Sequence, residues 1–400
     1  MNRRLLLILL AFGLALAWPH GAPLAQDEEE PFLPENPLEG RALFTSKRCI
    51  LCHSIQGIGG RIGPDLGDIR QNNSFADIAA SIWNHMPRMK EAFDRARLAR
   101  PRFTAEEMQQ LIAFLYSLNY FDRSADAEMG ERIFHEKNCI RCHSVGGKGG
   151  DIGPALDSFQ TRSALPVITS ELWNNGPEMA KEMRKQKIPR PQFQERDVID
   201  ILAFIRIKGL SKEKKRGYVS VGNPLKGREM FEEKNCLRCH AVRGDGGKVG
   251  PDLAEQGLKG SLSFIVSNMW NHGSNMWGKM ARKGIPFPTF EPEEMSDLVS
   301  YLYFIQYGEA PGSAEAGEQV FRSKKCAECH IPKLPGEETI GPDLAEKELD
   351  SPFRVIAEMW NHAPAIEAKM KERKIRWPNL ERGDMRHLIT YLQSLGEQKE

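Results

Sequence analysis

All eight cysteines of the 400-residue chain stand in the pattern Cys-x-x-Cys-His: CILCH at 49–53, CIRCH at 139–143, CLRCH at 236–240 and CAECH at 326–330. Two thiols spaced along one helical turn suit addition to the two vinyl groups of haem, and the next residue presents its imidazole to the iron. On this reading Cys49, Cys52, Cys139, Cys142, Cys236, Cys239, Cys326 and Cys329 attach four haem c groups covalently, with His53, His143, His240 and His330 as proximal ligands. Two other chemistries compete. A zinc site needs four ligands, so the pairs would have to be shared between distant segments. A redox dithiol expects a βαβ surrounding, which is missing. Recurrence at intervals of 90, 97 and 90 residues, with no cysteine left over, favours haem.

The elements that hold these motifs also recur. Each Cys-x-x-Cys-His is followed by a Gly-rich stretch, then GPDL or GPAL, then WNHMPRM, WNNGPEM, WNHGSNM or WNHAPAI, and last a Pro-x-Phe or Pro-x-Leu element before an apolar-periodic segment. The repeat is therefore the domain. Domains are expected over 39–122, 123–210, 224–308 and 309–400, with an acidic, Pro-rich linker over 26–38 and a basic one over 211–223 (SKEKKRGYVSVGN, containing Lys212, Lys214, Lys215 and Arg216). The second linker suggests two coupled pairs, repeats 1 with 2 and 3 with 4, on either side of a hinge. The closing segments carry helical spacing, with Met108, Leu111, Ile112, Leu115 and Tyr116 in the first and Met385, Leu388, Ile389, Leu392 and Leu395 in the last. Thr104 and Glu107 form a capping box, and Gly396 is read as a helix stop. No run alternates well enough to claim a strand, so the fold class is all-α. Some ninety residues with a few short helices make a thin core, which a haem would fill.

Each repeat resembles a class I, mitochondrial-type cytochrome c domain, and the resemblance covers nearly the whole chain after its first residues. It rests on Gly-x-x-x-Phe ahead of the haem motif (Gly40/Phe44, Gly130/Phe134, Gly227/Phe231, Gly317/Phe321) and on an aromatic residue in the last helix (Phe114, Phe204, Tyr301, Tyr391). It implies that the first helix packs across the last. It also implies that the carbonyls of Pro64, Pro154, Pro251 and Pro342 accept the second N–H of the proximal imidazoles, orienting them and raising their basicity.

The resemblance further implies a methionine as sixth ligand. Asn84, Asn174 and Asn271 precede Met89, Met179 and Met276 by five residues, as in the family, but the Pro-x-Phe that should adjoin the methionine lies twelve residues on, behind an inserted helical segment. Met183, Met280 and Met370 stand one helical turn further along, so either sulfur of a pair reaches the same face. Ile366 removes the first candidate in repeat 4 and Phe93 the second in repeat 1, leaving Met370 and Met89 there. Ligation by His85, His272 and His362 is the rival; Asn175 in repeat 2 cannot replace imidazole, which favours hydrogen bonding at a turn. Trp83, Trp173, Trp270 and Trp360 are expected either to line the haem pockets with an indole N–H on a propionate or to fill the core.

The start, MNRRLLLILLAFGLALAW, has two arginines ahead of fourteen apolar residues and reads as a secretory signal peptide over 1–25, implying a periplasmic or otherwise exported protein; left uncleaved it would anchor the chain to a membrane. Without it the formal charge passes from +1 to −1, which argues against nucleic acid as a partner. Iron closed on both faces suits single-electron transfer rather than substrate binding. The expected function is an exported tetrahaem electron carrier between a redox donor and a redox acceptor, not an enzyme. Two alternatives remain: a haem enzyme with one five-coordinate iron, for which repeat 4 is the place to look, and an electron-transfer component of a larger membrane redox complex.

Overall fold

Four copies of a short helical unit make up the computed structural model, which describes residues 33–397 apart from 69–73, 123–124, 161–164, 210–220, 256–259, 309 and 331–339. The expected signal peptide, residues 26–32 of the first linker and the four basic residues of the second lie outside the described residues. Repeat 1 contains α1 (Gly40–Ser46), α2 (Phe75–Asn84), α3 (Met86–Arg95) and α4 (Ala105–Ser117). Repeat 2 contains α5 (Ala127–Glu136), α6 (Leu165–Lys185) and α7 (Asp197–Lys208); repeat 3, α8 (Pro224–Glu233), α9 (Leu262–Arg282) and α10 (Pro292–Phe304); repeat 4, α11 (Ala314–Ser323), α12 (Pro352–Glu372) and α13 (Asp384–Glu397). The all-α class is observed. Among the described residues the only strands are two-residue hairpins after the haem motif, β1 (Ser54–Ile55) with β2 (Ile58–Gly59), β3 (Ser144–Val145) with β4 (Lys148–Gly149), and β5 (Ala241–Val242) with β6 (Asp245–Gly246). Strands this short leave no alternation to read.

Local sequence explains the helix ends. Asp126, Asn223 and Ser313 accept backbone N–H groups at the starts of α5, α8 and α11, satisfying donors that a helix leaves unpaired. The Thr104–Glu107 capping box forms at α4, as expected, and Glu291 with Glu294 builds another at α10. Gly396 does not stop α13, which continues to Glu397; glycine weakens a helix without by itself ending it.

Within each repeat the first helix crosses the last with backbones touching. A Cβ on Gly40, Gly130, Gly227 or Gly317 would fall about 2 Å from a carbonyl oxygen of the last helix (Gln110, Asp200, Asp297 or His387). The crossing therefore admits only glycine, and one turn on the phenylalanine meets the aromatic residue of the last helix, with ring centroids 5.4–6.0 Å apart for Phe44–Phe114, Phe134–Phe204, Phe231–Tyr301 and Phe321–Tyr391.

The inserted segment is helical. It extends α6, α9 and α12 to 21 residues each, whereas in repeat 1 it becomes the separate α3, which begins after a break at His85. All four stop in the same way. Arg97, Lys187, Gly284 and Lys374 adopt left-handed backbone, and the next residue returns its N–H five residues back: Leu98 to Phe93, Ile188 to Met183, Ile285 to Met280 and Ile375 to Met370. This is a Schellman closure.

Beyond that stop the chain leaves its own repeat. Trp173 Nε1 donates to the Pro288 carbonyl (2.8 Å) and Trp270 Nε1 to the Pro191 carbonyl (2.8 Å), so repeats 2 and 3 exchange their Pro-x-Phe elements. Repeats 1 and 4 do the same through Trp83 to Pro378 (3.1 Å) and Trp360 to Pro101 (2.7 Å). The neighbouring asparagines complete each exchange. Asn174 Nδ2 donates to the Phe290 carbonyl while its Oδ1 accepts the Phe290 N–H, and Asn271 with Phe193, Asn84 with Leu380 and Asn361 with Phe103 repeat the pair. The residue before each proline stacks on the same tryptophan: Arg100 on Trp360 and Arg190 on Trp270, each 4.1 Å from the ring, and Phe287 on Trp173 and Trp377 on Trp83 in the opposite direction. The expected pairing of 1 with 2 and 3 with 4 is thus corrected to 1 with 4 and 2 with 3. Repeats 1 and 3 join the two pairs. Tyr116 and Tyr303 each donate a hydroxyl to the other's carbonyl (3.3 and 2.8 Å), inside a buried aromatic cluster with Tyr120, Phe304 and Tyr307. A core that is thin in one repeat is thickened by its neighbours.

Candidate haem sites

Each Cys-x-x-Cys-His lies on a 3-10 turn entered through a left-handed residue: Arg48, Asn138, Asn235 or Lys325. The turn closes with the histidine N–H on the first cysteine's carbonyl at 2.9–3.0 Å in all four copies. This places both thiols and the imidazole on one wall. Burial pushes the first thiol of each pair up, to about 11 for Cys49, Cys139 and Cys326 and about 12 for Cys236, so in the chain without haem these thiols stay protonated near neutral pH.

The imidazoles are held on their far side. His53, His143, His240 and His330 bond through Nδ1 to the carbonyls of Pro64, Pro154, Pro251 and Pro342 at 3.0, 2.9, 3.1 and 3.1 Å. Nε2 is left for an iron, in the arrangement that orients a metal-bound histidine and raises its basicity. The glycine before each proline lets the loop come this close: a Cβ on Gly63, Gly153, Gly250 or Gly341 would sit 2.3–2.6 Å from the ring. The residue after the proline fastens the loop. Asp65 accepts the N–H groups of Gln56, Gly57 and Gly67 and the Ser54 hydroxyl, and Asp252 accepts those of Arg243, Gly244 and Ala254. Burial pushes both carboxyls up, and these hydrogen bonds more than offset it, holding both below the usual carboxylate range. Repeat 2 has Ala155 there, and Asp157 takes the Gly146 N–H instead.

In repeats 3 and 4 the wall faces a cavity of haem-like lining. The cavity of repeat 3, about 530 Å³, is bounded by Cys236, Cys239, His240, Met269, Met276 and Met280; that of repeat 4, about 460 Å³, by Cys326, Cys329, His330, Met359, Ile366 and Met370. These volumes lie in the range of cofactor pockets. Thiol pair, imidazole, thioether and apolar walls together form the donor set for a covalently bound haem with histidine and methionine as axial ligands, so the residues present fit the group. Met370 is buried, and Met89, Met179, Met183 and Met276 are partly buried against the core.

Phe93, Met183, Met280 and Met370 all carry the carbonyl that closes the Schellman stop, a place where an apolar side chain commonly meets the residue beyond the cap. Phe93 holds that place in repeat 1. Met269 and Met359, seven residues before Met276 and Ile366, also line the cavities and were missed. Their signal was the two-turn interval on one helix face, which places them beside the candidates.

His85, His362 and Asn175 do the same work: each side chain bonds the carbonyl four residues back, at Ser81, Glu358 and Glu171. Asparagine can replace histidine in this bond, while His272 and His362 also line the cavities of repeats 3 and 4. The site at 175 and 362 is mid-helix, not the expected turn. The tryptophan N–H groups, for which a propionate was one of two readings, are taken by proline carbonyls of other repeats. The expected core role of these rings is met, across repeats.

The sequence pattern of the cytochrome c family matches residues 38–119, 127–207, 225–303 and 314–396. Over 86 residues the chain is 32% identical to cytochrome c oxidase subunit 2 of Alkalihalophilus pseudofirmus, covering 20% of this chain and 25% of that protein. Over 116 residues it is 28% identical to a nitric oxide reductase subunit of Halomonas halodenitrificans, covering 28% of this chain and 77% of that protein. No solved structure matches significantly. Among the described residues no helix is long and apolar enough to cross a membrane.

Proposed function

The chain belongs to the cytochrome c family four times over, and from that premise we propose that it is an exported tetrahaem carrier that takes single electrons from one redox protein and hands them to another. Family membership implies haem-based electron transfer; the count of four, export and the carrier role are the proposal. In it Cys49, Cys52, Cys139, Cys142, Cys236, Cys239, Cys326 and Cys329 hold four haem c groups, His53, His143, His240 and His330 stand on one side, and Met89, Met179 or Met183, Met276 or Met280, and Met370 on the other. A bound haem supplies the reversible one-electron chemistry of iron.

What the chain contributes is rigidity and closure. Proline carbonyls fix the imidazole rings, so oxidation and reduction need little rearrangement of the ligand. Apolar walls would keep water from a bound haem, and a histidine and a methionine holding it would together favour the ferrous state. The observation that carries this reading is the fourfold recurrence of one geometry, imidazole Nδ1 on a proline carbonyl at 2.9–3.1 Å behind a thiol pair. A second reading, a component of a membrane redox complex, is supported by the names of the two relatives, each a subunit of an oxidase or reductase, and co-purification with a membrane enzyme favours it. The test is a haem count with carbon monoxide added to the reduced protein. Four haems, all indifferent, support the carrier; one that binds tightly without denaturant supports an enzyme.

A further inference from the structure

In two of the sites one wall comes from a different repeat. Trp173 of repeat 2 lines the cavity bounded by Cys236, Cys239 and His240, and Trp83 of repeat 1 lines that bounded by Cys326, Cys329 and His330. Neither indole is free to turn away. Trp173 is tied by its N–H to Pro288 and stacked on Phe287 with centroids 5.5 Å apart and planes 17° apart. Trp83 is tied to Pro378 and stacked on Trp377 at 4.3 Å and 29°. In both, the next residue is the asparagine that clamps the same strap by two hydrogen bonds. Stacking, an N–H bond and a bidentate amide fix a ring in three independent ways, more than filling a core requires.

We propose that Trp173 and Trp83 are positioning residues for the haem of the partner repeat, Trp173 for repeat 3 and Trp83 for repeat 4, so that these two sites are complete only when the repeats are paired. Repeats 2 and 3, and repeats 1 and 4, are then immediate neighbours, each pair joined by a tryptophan of one repeat that walls the site of the other. The Tyr116–Tyr303 contact sets repeat 1 beside repeat 3, giving the spatial order 2–3–1–4 rather than the order of the chain. This rests on the reading of four haem sites, which a mass measurement tests separately.

The experiment uses the intact, fully reduced protein, in which six-coordinate low-spin ferrous haems are diamagnetic. Each haem is assigned from the nuclear Overhauser contacts of its thioether groups to the β-protons of its own cysteines. Contacts from the Trp83 indole to the haem held by Cys326 and Cys329, and from Trp173 to that held by Cys236 and Cys239, are expected. Contacts of either indole with the haem of its own repeat alone, or with none, overturn the proposal even when four haems are counted. In Trp83→Phe, which keeps a ring but loses the N–H, proton shifts should change at the Cys326/Cys329 haem and stay fixed at the Cys49/Cys52 haem; the reverse pattern also overturns it.

Discussion

Replacing Gly250 by alanine puts a methyl group where the proximal imidazole of repeat 3 already lies. The new Cβ would fall 2.5 Å from His240 Cε1, 2.6 Å from Nδ1 and 3.0 Å from Nε2, so three ring atoms are too close and a flexible chain end cannot yield instead. The ring can move only by giving up the 3.1 Å bond from Nδ1 to the Pro251 carbonyl. A lost hydrogen bond costs about 0.5–1.5 kcal/mol and an overpacked methyl about 1–3 kcal/mol, so the expected destabilisation of this repeat is about 1.5–4.5 kcal/mol. The electronic effect has a definite sign. An imidazole whose N–H is given to a carbonyl is more basic and favours ferric iron, so Gly250→Ala should raise the potential of one haem and leave three unchanged. Denaturant unfolding followed at the haem absorption bands gives the first quantity and a spectroelectrochemical titration the second. Gly278→Ala on α9 is the control, since its nearest outside atom is 3.5 Å away on a flexible arginine; it should be neutral or stabilising by roughly 0.5–1 kcal/mol. Unchanged stability and potentials in Gly250→Ala would refute the role given to the glycine and to the carbonyl behind it.

Asn174→Ala should destabilise the pairing of repeats 2 and 3 by about 1–3 kcal/mol, because it strips the partners from the Phe290 N–H and carbonyl; limited proteolysis of the holoprotein, with faster cleavage near residue 290, is the check. Met370→Ala should abolish the weak sulfur-to-iron absorption band of one haem in the oxidised protein and open that haem to carbon monoxide when reduced, with three haems unaffected; an unchanged spectrum would move the ligand to Met359. Asp65 and Asp252 are held below the ordinary value of 3.8 by their loop hydrogen bonds. Their stabilisation is therefore complete above that value and lost as pH falls through the lower folded one. Melting temperatures in the acid range should drop less steeply in Asp65→Ala and Asp252→Ala than in the parent, from a lower starting point.

Within a repeat, much of the fold was legible because short-range rules set it. Thr104 and Glu107 carry their cap in three residues; the match of Gly40 and Phe44 to Phe114, and of the Pro251 carbonyl to His240 eleven residues away, was instead implied by the resemblance to cytochrome c domains. The arrangement between repeats was hidden. Pairing was inferred from the linker at 211–223, yet it is set by Trp173 and Asn174 meeting Pro288 and Phe290 more than a hundred residues away, and complementarity between two elements that both recur four times does not say which copies meet. Spacing could not choose between the two methionines of a pair, because both share a helix face; the structure adds that the second of each pair also carries the backbone carbonyl that closes its helix. Met269 and Met359 were overlooked for a related reason: a sulfur two turns earlier on the helix stands outside the family's motif. The hairpins were too short to leave a pattern.

The claim under all of this is that each quarter of the chain closes around one covalently attached haem. Intact-mass measurement of the protein isolated from an oxidising compartment, followed by peptide mapping, tests it most directly. The account predicts four haems, one on each of the peptides containing Cys49/Cys52, Cys139/Cys142, Cys236/Cys239 and Cys326/Cys329, and no alkylatable thiol. Free thiols, disulfides within the pairs, or fewer than four attached haems would contradict it.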